Sequence, residues 1–214
     1  MSVLGVKNLG FRYTRDGEEL FNGLTHEFTP GKVTALTGPS GRGKSTLLYV
    51  LGLMLTPSRG EVLLRGEDQS SVSDAARSRV RSAELGFVFQ DSALDPSRSI
   101  LDSVIEPSLY AGLDRAESIA RATALLQDLG VGARINHKPG QISGGQAQRV
   151  AVCRALINNP SVVLADEPTG NLDPLNAAGV LDVLCEVAAQ GQHTVVIATH
   201  DPYVIGRADE VLAL

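Results

Sequence analysis

Cysteine is scarce in this sequence, and long apolar runs are absent. Its 214 residues include two cysteines, Cys153 and Cys185, and neither has the C-x-x-C or metal-ligand spacing of a redox or zinc site. Both lie in apolar helical patterns, so we expect buried, free thiols. The longest nearly uninterrupted apolar run, Leu47 to Leu55, is far shorter than the roughly 20 residues of a membrane-spanning helix. The sequence therefore predicts neither a metal-binding cysteine site nor a membrane span.

A signal peptide and runs of like charge are also missing. The segment from Met1 to Gly5 has neither the basic nor the apolar part of a secretory signal. The net charge is −5, and the one basic cluster, Arg77, Arg79 and Arg81, is typical of a solvated helix face. We expect a cytoplasmic protein that binds no nucleic acid and that reaches the inner face of a membrane only through a partner.

The distribution of strand and helix patterns predicts an α/β protein with an inserted helical part. Residues 1–90 and 159–214 carry the strand patterns, including two segments, Val3 to Tyr13 and Leu20 to Thr29, that are typical of an antiparallel hairpin. Residues 91–158 show helical patterns alone, at about 99–110, 115–129 and 144–158. Because no Gly/Ser/Pro-rich linker separates these parts, we expect one domain over 1–214.

A glycine-rich segment matches the phosphate-loop pattern G-x-x-x-x-G-K-[ST]. An apolar strand pattern, Val33 to Thr37, precedes it and an apolar helical pattern follows it, as that motif requires. A glycine-rich turn that only caps a helix is the alternative, but the full pattern favours a nucleoside-triphosphate site. The candidate nucleotide-binding residues are Gly38, Pro39, Ser40, Gly41, Arg42, Gly43, Lys44, Ser45 and Thr46.

The residue types in this loop suit a polyphosphate. Gly38, Gly41 and Gly43 allow sharp turns that bring backbone N–H groups to an anion. Lys44 supplies a cation for the β and γ phosphates, and the Ser45 hydroxyl is a candidate Mg²⁺ ligand. The helix that begins there directs its positive end at the same anion.

A second helix start, Ser143-Gly144-Gly145-Gln146, has two interpretations. Ser143 with Gln146 three residues later forms the pattern of a capping box. Two glycines in a first turn, however, cost about 1 kcal/mol each relative to alanine, which capping alone does not require. A second anion site at this helix end therefore stays open as the alternative.

Two carboxylates follow a buried-type strand pattern that begins at Val162. Asp166 is a candidate magnesium-side acid, and Glu167 is a candidate general base that activates water. Adjacent strand residues point to opposite faces, so both can serve one site only if the strand bends after Asp166, for which Pro168 is a signal. A solvated pair of carboxylates at a strand end is the alternative.

Four further residues are ambiguous on pattern alone. Tyr13 is typical of strand packing, and could instead stack on a base. Gln90 ends a strand and could reach Mg²⁺ only if that strand lies beside the phosphate loop. Asp173 is explained as an N-cap before Pro174. His200 ends a strand that should share the sheet edge of the phosphate loop.

Together these motifs resemble the nucleotide-binding subunit of ATP-binding cassette (ABC) transporters over nearly the whole chain. Ile142 to Gln146 is similar to the LSGGQ signature of that family, with Ile142 in place of leucine, and Arg42 stands where serine is common. The resemblance implies a RecA-like phosphate-loop core with a mostly parallel sheet, an antiparallel β subdomain and an inserted helical subdomain. It also implies ATP and Mg²⁺ as cofactors and ATP hydrolysis as the activity.

Residue roles follow from the same resemblance. It implies that Tyr13 stacks on adenine, that Glu167 activates water and that His200 senses the γ phosphate. It assigns the metal to Ser45, Gln90 and Asp166. Two copies would pair head to tail, so that Ser143, Gly144, Gly145 and Gln146 of one copy cover the ATP of the other, with Asp173 at the interface.

The expected partner is an integral membrane permease on a separate chain. The run from Leu164 to Asp173 is similar to the branch that contains macrolide exporters, lipoprotein-releasing complexes and a cell-division regulator. The sequence leaves open a regulatory ATP switch without transport. A soluble cassette acting on DNA or ribosomes is disfavoured by the low pI of about 5.4 and the single cassette.

Overall fold

The structure is a computed structural model that describes residues 2–39, 41–191 and 193–214. The strands, in chain order, are β1 (Leu4–Phe11), β2 (Leu20–Phe28), β3 (Val33–Thr37), β4 (Arg59–Leu64), β5 (Glu67–Asp68), β6 (Leu85–Val88), β7 (Val162–Asp166), β8 (Thr194–Ala198) and β9 (Glu210–Ala213). The helices are α1 (Lys44–Leu51), α2 (Asp74–Glu84), α3 (Ile100–Tyr110), α4 (Arg115–Asp128), α5 (Gly144–Leu156), α6 (Pro174–Ala189) and α7 (Pro202–Arg207), with short 3₁₀ turns at Gly132–Arg134 and Pro139–Gln141.

The strands form two sheets. A five-stranded parallel sheet has the order β6-β7-β8-β3-β9, and a four-stranded antiparallel sheet has the order β2-β1-β4-β5. β7 and β8 are buried along their whole length, which explains their continuous Val, Leu and Ile pattern, since both faces of a parallel sheet are covered. The α/β class, the parallel core and the antiparallel hairpin are confirmed.

Three apolar clusters hold these layers together. One lies between the antiparallel sheet, α1 and the parallel sheet, and includes Phe28 and Leu47. Another packs α5 and α6 on strands of the parallel sheet, around Val163 and Leu184. The third joins α3, α4 and α5 around Ile105. The first two clusters fix the parallel sheet from both sides, so the loops at its edge stand on a rigid base.

Two smaller expectations have mixed outcomes. Cys153 is buried, Cys185 is half-buried and both are free; burial raises the pKa of the Cys153 thiol to about 12. The prediction that the arginines of α2 form a solvated face is wrong for Arg77 and Arg81. Arg77 donates to the Thr56 hydroxyl, and Arg81 donates to the Leu53 carbonyl at 2.8 Å.

Within the described ranges, no helix combines the length and the apolar character that crossing a bilayer needs.

Candidate nucleotide and magnesium site

The carboxyl ends of β3, β7 and β8 meet at one edge of the parallel sheet. Leu36 pairs with Ala198, and Ala198 pairs with Asp166, so the three strands end in register. Gly38, Asp166 and His200, which lie at or just after these strand ends, are therefore side by side. This is the edge at which open parallel sheets bind ligands, and the expectation that these residues share it is confirmed.

The phosphate loop has the backbone conformation that its glycines predict. Gly38, Gly41 and Gly43 have φ angles of 141°, 84° and 93°. At Gly41 an added Cβ would meet no atom within 4 Å, so the left-handed backbone, rather than crowding, requires glycine there. Ser40 lies outside the described residues.

Lys44 and the start of α1 concentrate positive charge at this loop. The Lys44 ammonium donates to the carbonyl oxygens of Gly38 at 2.8 Å and Pro39 at 3.4 Å. α1 begins at Lys44, so the first N–H groups of the helix face the same place. A cavity of about 420 Å³ opens here, lined by Tyr13, Leu20, Gly41, Gly43, Lys44, Ser45, Thr46 and Glu167. Cation, helix end and cavity together fit a polyphosphate.

Tyr13 belongs to the wall of that cavity and not to the core. Its side chain is 68% exposed. Its hydroxyl shares a 2.6 Å hydrogen bond with the Thr46 hydroxyl, and its ring meets Phe11 edge-on with centroids 4.9 Å apart. Core packing therefore does not account for Tyr13, whereas contact with a bound base would. Arg42 is exposed and lines a neighbouring cavity of about 550 Å³ with Glu18 and Phe21.

The oxygens of Ser45 and Asp166 lie together at the base of the site. The Ser45 hydroxyl donates to Asp166 Oδ1 at 2.9 Å, and the Tyr49 hydroxyl donates to Oδ2 at 3.3 Å. Asp166 is 8% exposed, and its burial raises the pKa of the carboxyl group against the opposing hydrogen bonds from Ser45 and Tyr49. Hydroxyl and carboxylate oxygens are the ligands that Mg²⁺ prefers.

The protein offers few ligands for Mg²⁺, as expected for a metal ion that is bound partly by the phosphates of a nucleotide. Among the described residues, no group of three or more His, Cys, Asp or Glu side chains is placed to hold a metal ion. Mg²⁺ in phosphate-transferring proteins is usually held by one or two carboxylates together with the oxygens of the substrate. Ser45 and Asp166 fit that kind of site.

Glu167 bends the chain out of β7. Its φ of 43° lies in the left-handed region, and its N–H donates to the Ala198 carbonyl at 2.9 Å. Glu167 Oε1 lies 2.7 Å from Nδ1 of His200, and Oε2 accepts from the Thr199 hydroxyl at 3.3 Å. The required bend is present, and a loosely solvated Asp-Glu pair is ruled out because both carboxylates are held by neighbours.

The strand order places Gln90 next to the strand of Asp166. β6 borders β7, and both β7 and β8 separate it from β3, so the strand before Gln90 does not lie beside the phosphate-loop strand. Gln90 instead follows the neighbour of the Asp166 strand. Its side-chain nitrogen lies 3.3 Å from where a Cβ of Gly170 would stand, which places it against the loop after Glu167.

The capping box predicted at the start of α5 is present. Ser143 Oγ accepts from the Gln146 N–H at 3.3 Å, and Gln146 Oε1 accepts from the Ser143 N–H at 3.0 Å. A Cβ on Gly145 would collide with Asn176 of α6, whereas one on Gly144 would only touch Leu172 at 3.5 Å. Packing within the chain thus explains Gly145, and crowding does not explain the exposed Gly144.

Asp173 is the N-cap of α6, as expected. Its carboxylate accepts from the N–H groups of Leu175 and Asn176, both at 3.1 Å, and from the Asn176 side chain at 2.6 Å. The side-chain bond from Asn176, with the backbone bonds, lowers the pKa of Asp173. Asn176 therefore connects the cap of α6 to the start of α5 at Gly145.

Three residues of the site were not anticipated: Tyr49, Thr199 and Asn176. Tyr49 stands one helical turn after Ser45, a spacing that places both side chains on one helix face. Thr199 directly precedes His200, so the strand-end signal could have included it. Asn176 lies three residues after Asp173, a local capping spacing, but its contact with Gly145 depends on how α6 meets α5 and has no local signal.

Comparisons with known proteins agree with this geometry. The family model described as ABC transporter matches residues 21–170. The lipoprotein-releasing system ATP-binding protein LolD of Paramagnetospirillum magneticum is 43% identical over 95% of this chain and 90% of its own length. LolD 2 of Caulobacter vibrioides is 44% identical over 99% and 94%. The dimeric structure of MJ0796, a bacterial ABC transporter cassette, is 33% identical with a TM-score of 0.88, covering 99% of this chain and 94% of that one. The same cassette in a post-hydrolysis state with ADP and Pi has a TM-score of 0.88 at 32% identity.

Proposed function

This chain belongs to the ABC transporter family and is one of its ATP-hydrolysing cassettes. From that premise we propose that two copies close head to tail around two ATP molecules. The pair then drives a separate membrane-spanning partner. The observation that carries the proposal is the position of Glu167. Its carboxylate lies between Thr199 and His200 and in the wall of the cavity at Lys44. A base held at the phosphate end of a nucleotide site suits hydrolysis.

Within one copy, we assign each side chain a role. Tyr13 stacks on adenine, and Lys44 with the loop from Gly38 to Thr46 binds the phosphates. Ser45, Asp166 and Gln90 would hold Mg²⁺, which would neutralise charge on the phosphate oxygens. We include Gln90 among the metal ligands because its side chain lies beside the loop that follows Glu167.

Glu167 accepts the proton of the attacking water. His200 orients Glu167 through the 2.7 Å contact with Oε1, and Thr199 holds the other oxygen. The left-handed backbone at Glu167 directs its side chain to the same sheet edge as Asp166. His200 is exposed on its outer side, with 77% of its side chain accessible, so it can also contact a γ phosphate.

We assign contact with the ATP of the other copy to the start of α5 and to the segment before α6. Ser143 and Gly144 are exposed at a helix N-terminus that points its partial positive charge outward. In the paired state, Ser143, Gly144, Gly145 and Gln146 cover the ATP of the other copy, and Asp173 lies at the interface. The dimeric state of the similar cassette MJ0796 supports this arrangement.

The helical part is proposed as the unit that engages the partner. On this view residues 91–158 form the helical subdomain, and 1–90 with 159–214 form the ATP-binding core. A groove of about 610 Å³ runs between them, with Met54 and Phe87 on its apolar side and Arg81, Glu106 and Arg154 among its polar lining. Such a groove suits the apolar face of an amphipathic helix. The chain would thus sit on the inner face of the membrane through its partner.

The relatives' names favour lipoproteins as the cargo class and transport over a purely regulatory switch. Tagged Glu167→Gln protein with ATP, purified from gently solubilised native membranes, should bring a multi-span membrane protein in stoichiometric amount. That complex, rebuilt with wild-type cassette in vesicles, should release a membrane-bound lipoprotein to an acceptor only with ATP. Recovery of ribosomal proteins or nucleic acid would contradict the membrane role. A membrane partner with ATP turnover but no lipoprotein release would contradict the cargo.

A further inference from the structure

The Tyr49 hydroxyl donates a hydrogen bond to Oδ2 of Asp166. Among the described residues, Tyr49 does so without lining the nucleotide cavity. Ser45 and Tyr49 stand one turn apart on α1 and face the same carboxylate from two directions. Ser45 takes Oδ1 at 2.9 Å, and Tyr49 takes Oδ2 at 3.3 Å. The two oxygens therefore have separate donors from one helix.

These two bonds have different consequences for the carboxylate. Oδ1 faces Ser45 and so the phosphate loop, where the metal is expected. With that oxygen alone held, the carboxylate plane could still turn about the bond to its Cβ. A donor on Oδ2 fixes the plane and so the direction in which Oδ1 presents its electron pairs. Such outer donors orient metal-binding side chains in many proteins.

The hydroxyl of Tyr49 is itself held in place. The side chain is half-buried, and its ring packs against Phe87 of β6 with centroids 5.7 Å apart. Phe87 in turn packs on Phe89 at 4.4 Å. Because the ring is locked by β6, the hydroxyl reaches Asp166 at little further entropic cost.

We propose that Tyr49 is a positioning residue for the magnesium site, whose hydroxyl fixes the orientation of the Asp166 carboxylate. This inference rests on the proposed function, in which Asp166 lies beside the metal. Ring packing alone would be served equally by phenylalanine, so the hydroxyl is the part of Tyr49 that this role requires.

The test replaces Tyr49 by phenylalanine, which keeps the ring against Phe87 and removes only the donor. Mn²⁺ binding is followed by electron paramagnetic resonance in saturating ADP, a condition without turnover. Tyr49→Phe should weaken Mn²⁺ binding about 10-fold. Binding of a fluorescent ADP analogue in EDTA should stay unchanged, because phosphate and base contacts do not involve Tyr49. Tyr203→Phe, which removes a hydroxyl that pairs with Arg207, is the matched control.

A comparison with Asp166→Asn separates the inference from the function beneath it. If Asp166→Asn weakens Mn²⁺ binding and Tyr49→Phe does not, the positioning role is overturned and the metal site stands. If neither variant weakens it, the role of Asp166 fails and the inference fails with it. Equal losses in Mn²⁺ and in metal-free ADP binding by Tyr49→Phe would show a structural effect and would also overturn the inference.

Discussion

At the scale of single residues, Glu167 is the group on which hydrolysis depends. Glu167→Gln keeps the size of the side chain and a hydrogen-bonding oxygen but removes the base. We expect kcat for ATP to fall by about 10²- to 10⁴-fold, with ATP affinity little changed, because the phosphate-binding groups remain. Steady-state phosphate release and equilibrium binding of labelled ATP measure the two effects. Ordinary turnover by this variant would remove Glu167 from the mechanism.

Residue identity alone predicted the parts of the site whose chemistry is local. The glycines of the phosphate loop have the positive φ angles that the motif needs, and the bend after Asp166 occurs where Pro168 indicated it. The position of Gln90, next to the Asp166 strand and separated from β3 by β7 and β8, depends on strand order, which no local pattern contains. Tyr49 was missed for a similar reason: its contact with Asp166 joins residues 117 positions apart.

At the scale of elements, the junction of α5 and α6 depends on Gly145. Gly145→Ala would push a methyl group into Asn176, so we expect the free energy of unfolding to fall by roughly 1–3 kcal/mol. Gly144→Ala is the matched control, since its methyl group makes an ordinary contact, and alanine there should be neutral or stabilising by up to about 1 kcal/mol. Urea unfolding of both variants measures the difference. Equal stability of the two would contradict the packing account.

The start of β9 is tied to β3 by Asp209. Its carboxylate accepts from the Val33 N–H at 2.8 Å and from Lys32 at 3.0 Å, and the bond from Val33 is the main cause that lowers its pKa. A carboxyl whose pKa is lower in the folded protein stabilises it above the unfolded pKa, about 3.9. That contribution is lost as pH falls through the folded pKa.

Asp209→Ala should therefore lower the free energy of unfolding by about 1 kcal/mol at pH 7. The value is this small because the ion pair of Asp209 with Lys32 is partly exposed and screened by solvent. The cost should stay constant down to about pH 5 and shrink below about pH 4. Urea unfolding of wild type and variant across this range tests it, with Asp16→Ala in the exposed hairpin turn as control. A cost that does not change with pH would show that the charge of Asp209 is irrelevant.

Elements were predictable where one periodicity ran without interruption. β3 has the bounds that its apolar run, Val33 to Thr37, indicated, and α6 begins after Asp173 as its capping residues indicated. β5, Glu67–Asp68, was missed because two residues carry no alternation and acidic residues are uncommon in strands. Its pairing with β4 is set by the turn between them.

At the scale of the whole molecule, the nucleotide cavity and the exposed start of α5 are the two surfaces that the proposed head-to-tail pair would join. The cavity at Lys44 is lined by one chain's phosphate loop and Glu167, and the exposed start of α5 faces outward in that same chain. A head-to-tail pair would join these two surfaces twice by symmetry. ATP would then act as the link between copies, and its hydrolysis would open the pair and move the partner.

ATP-dependent pairing is tested most directly by the mass of Glu167→Gln in solution, measured by light scattering after size exclusion, with and without ATP and Mg²⁺. We expect a dimer with ATP and a monomer without it. Adding Ser143→Arg should give a monomer that still binds one ATP, because it puts a bulky cation on the surface offered to the other copy while Ser143 does not line its own chain's nucleotide cavity. The lost cap of α5 should cost about 1 kcal/mol of stability. A Glu167→Gln chain that binds ATP and stays monomeric, or one that dimerises despite Ser143→Arg, would contradict the trans site.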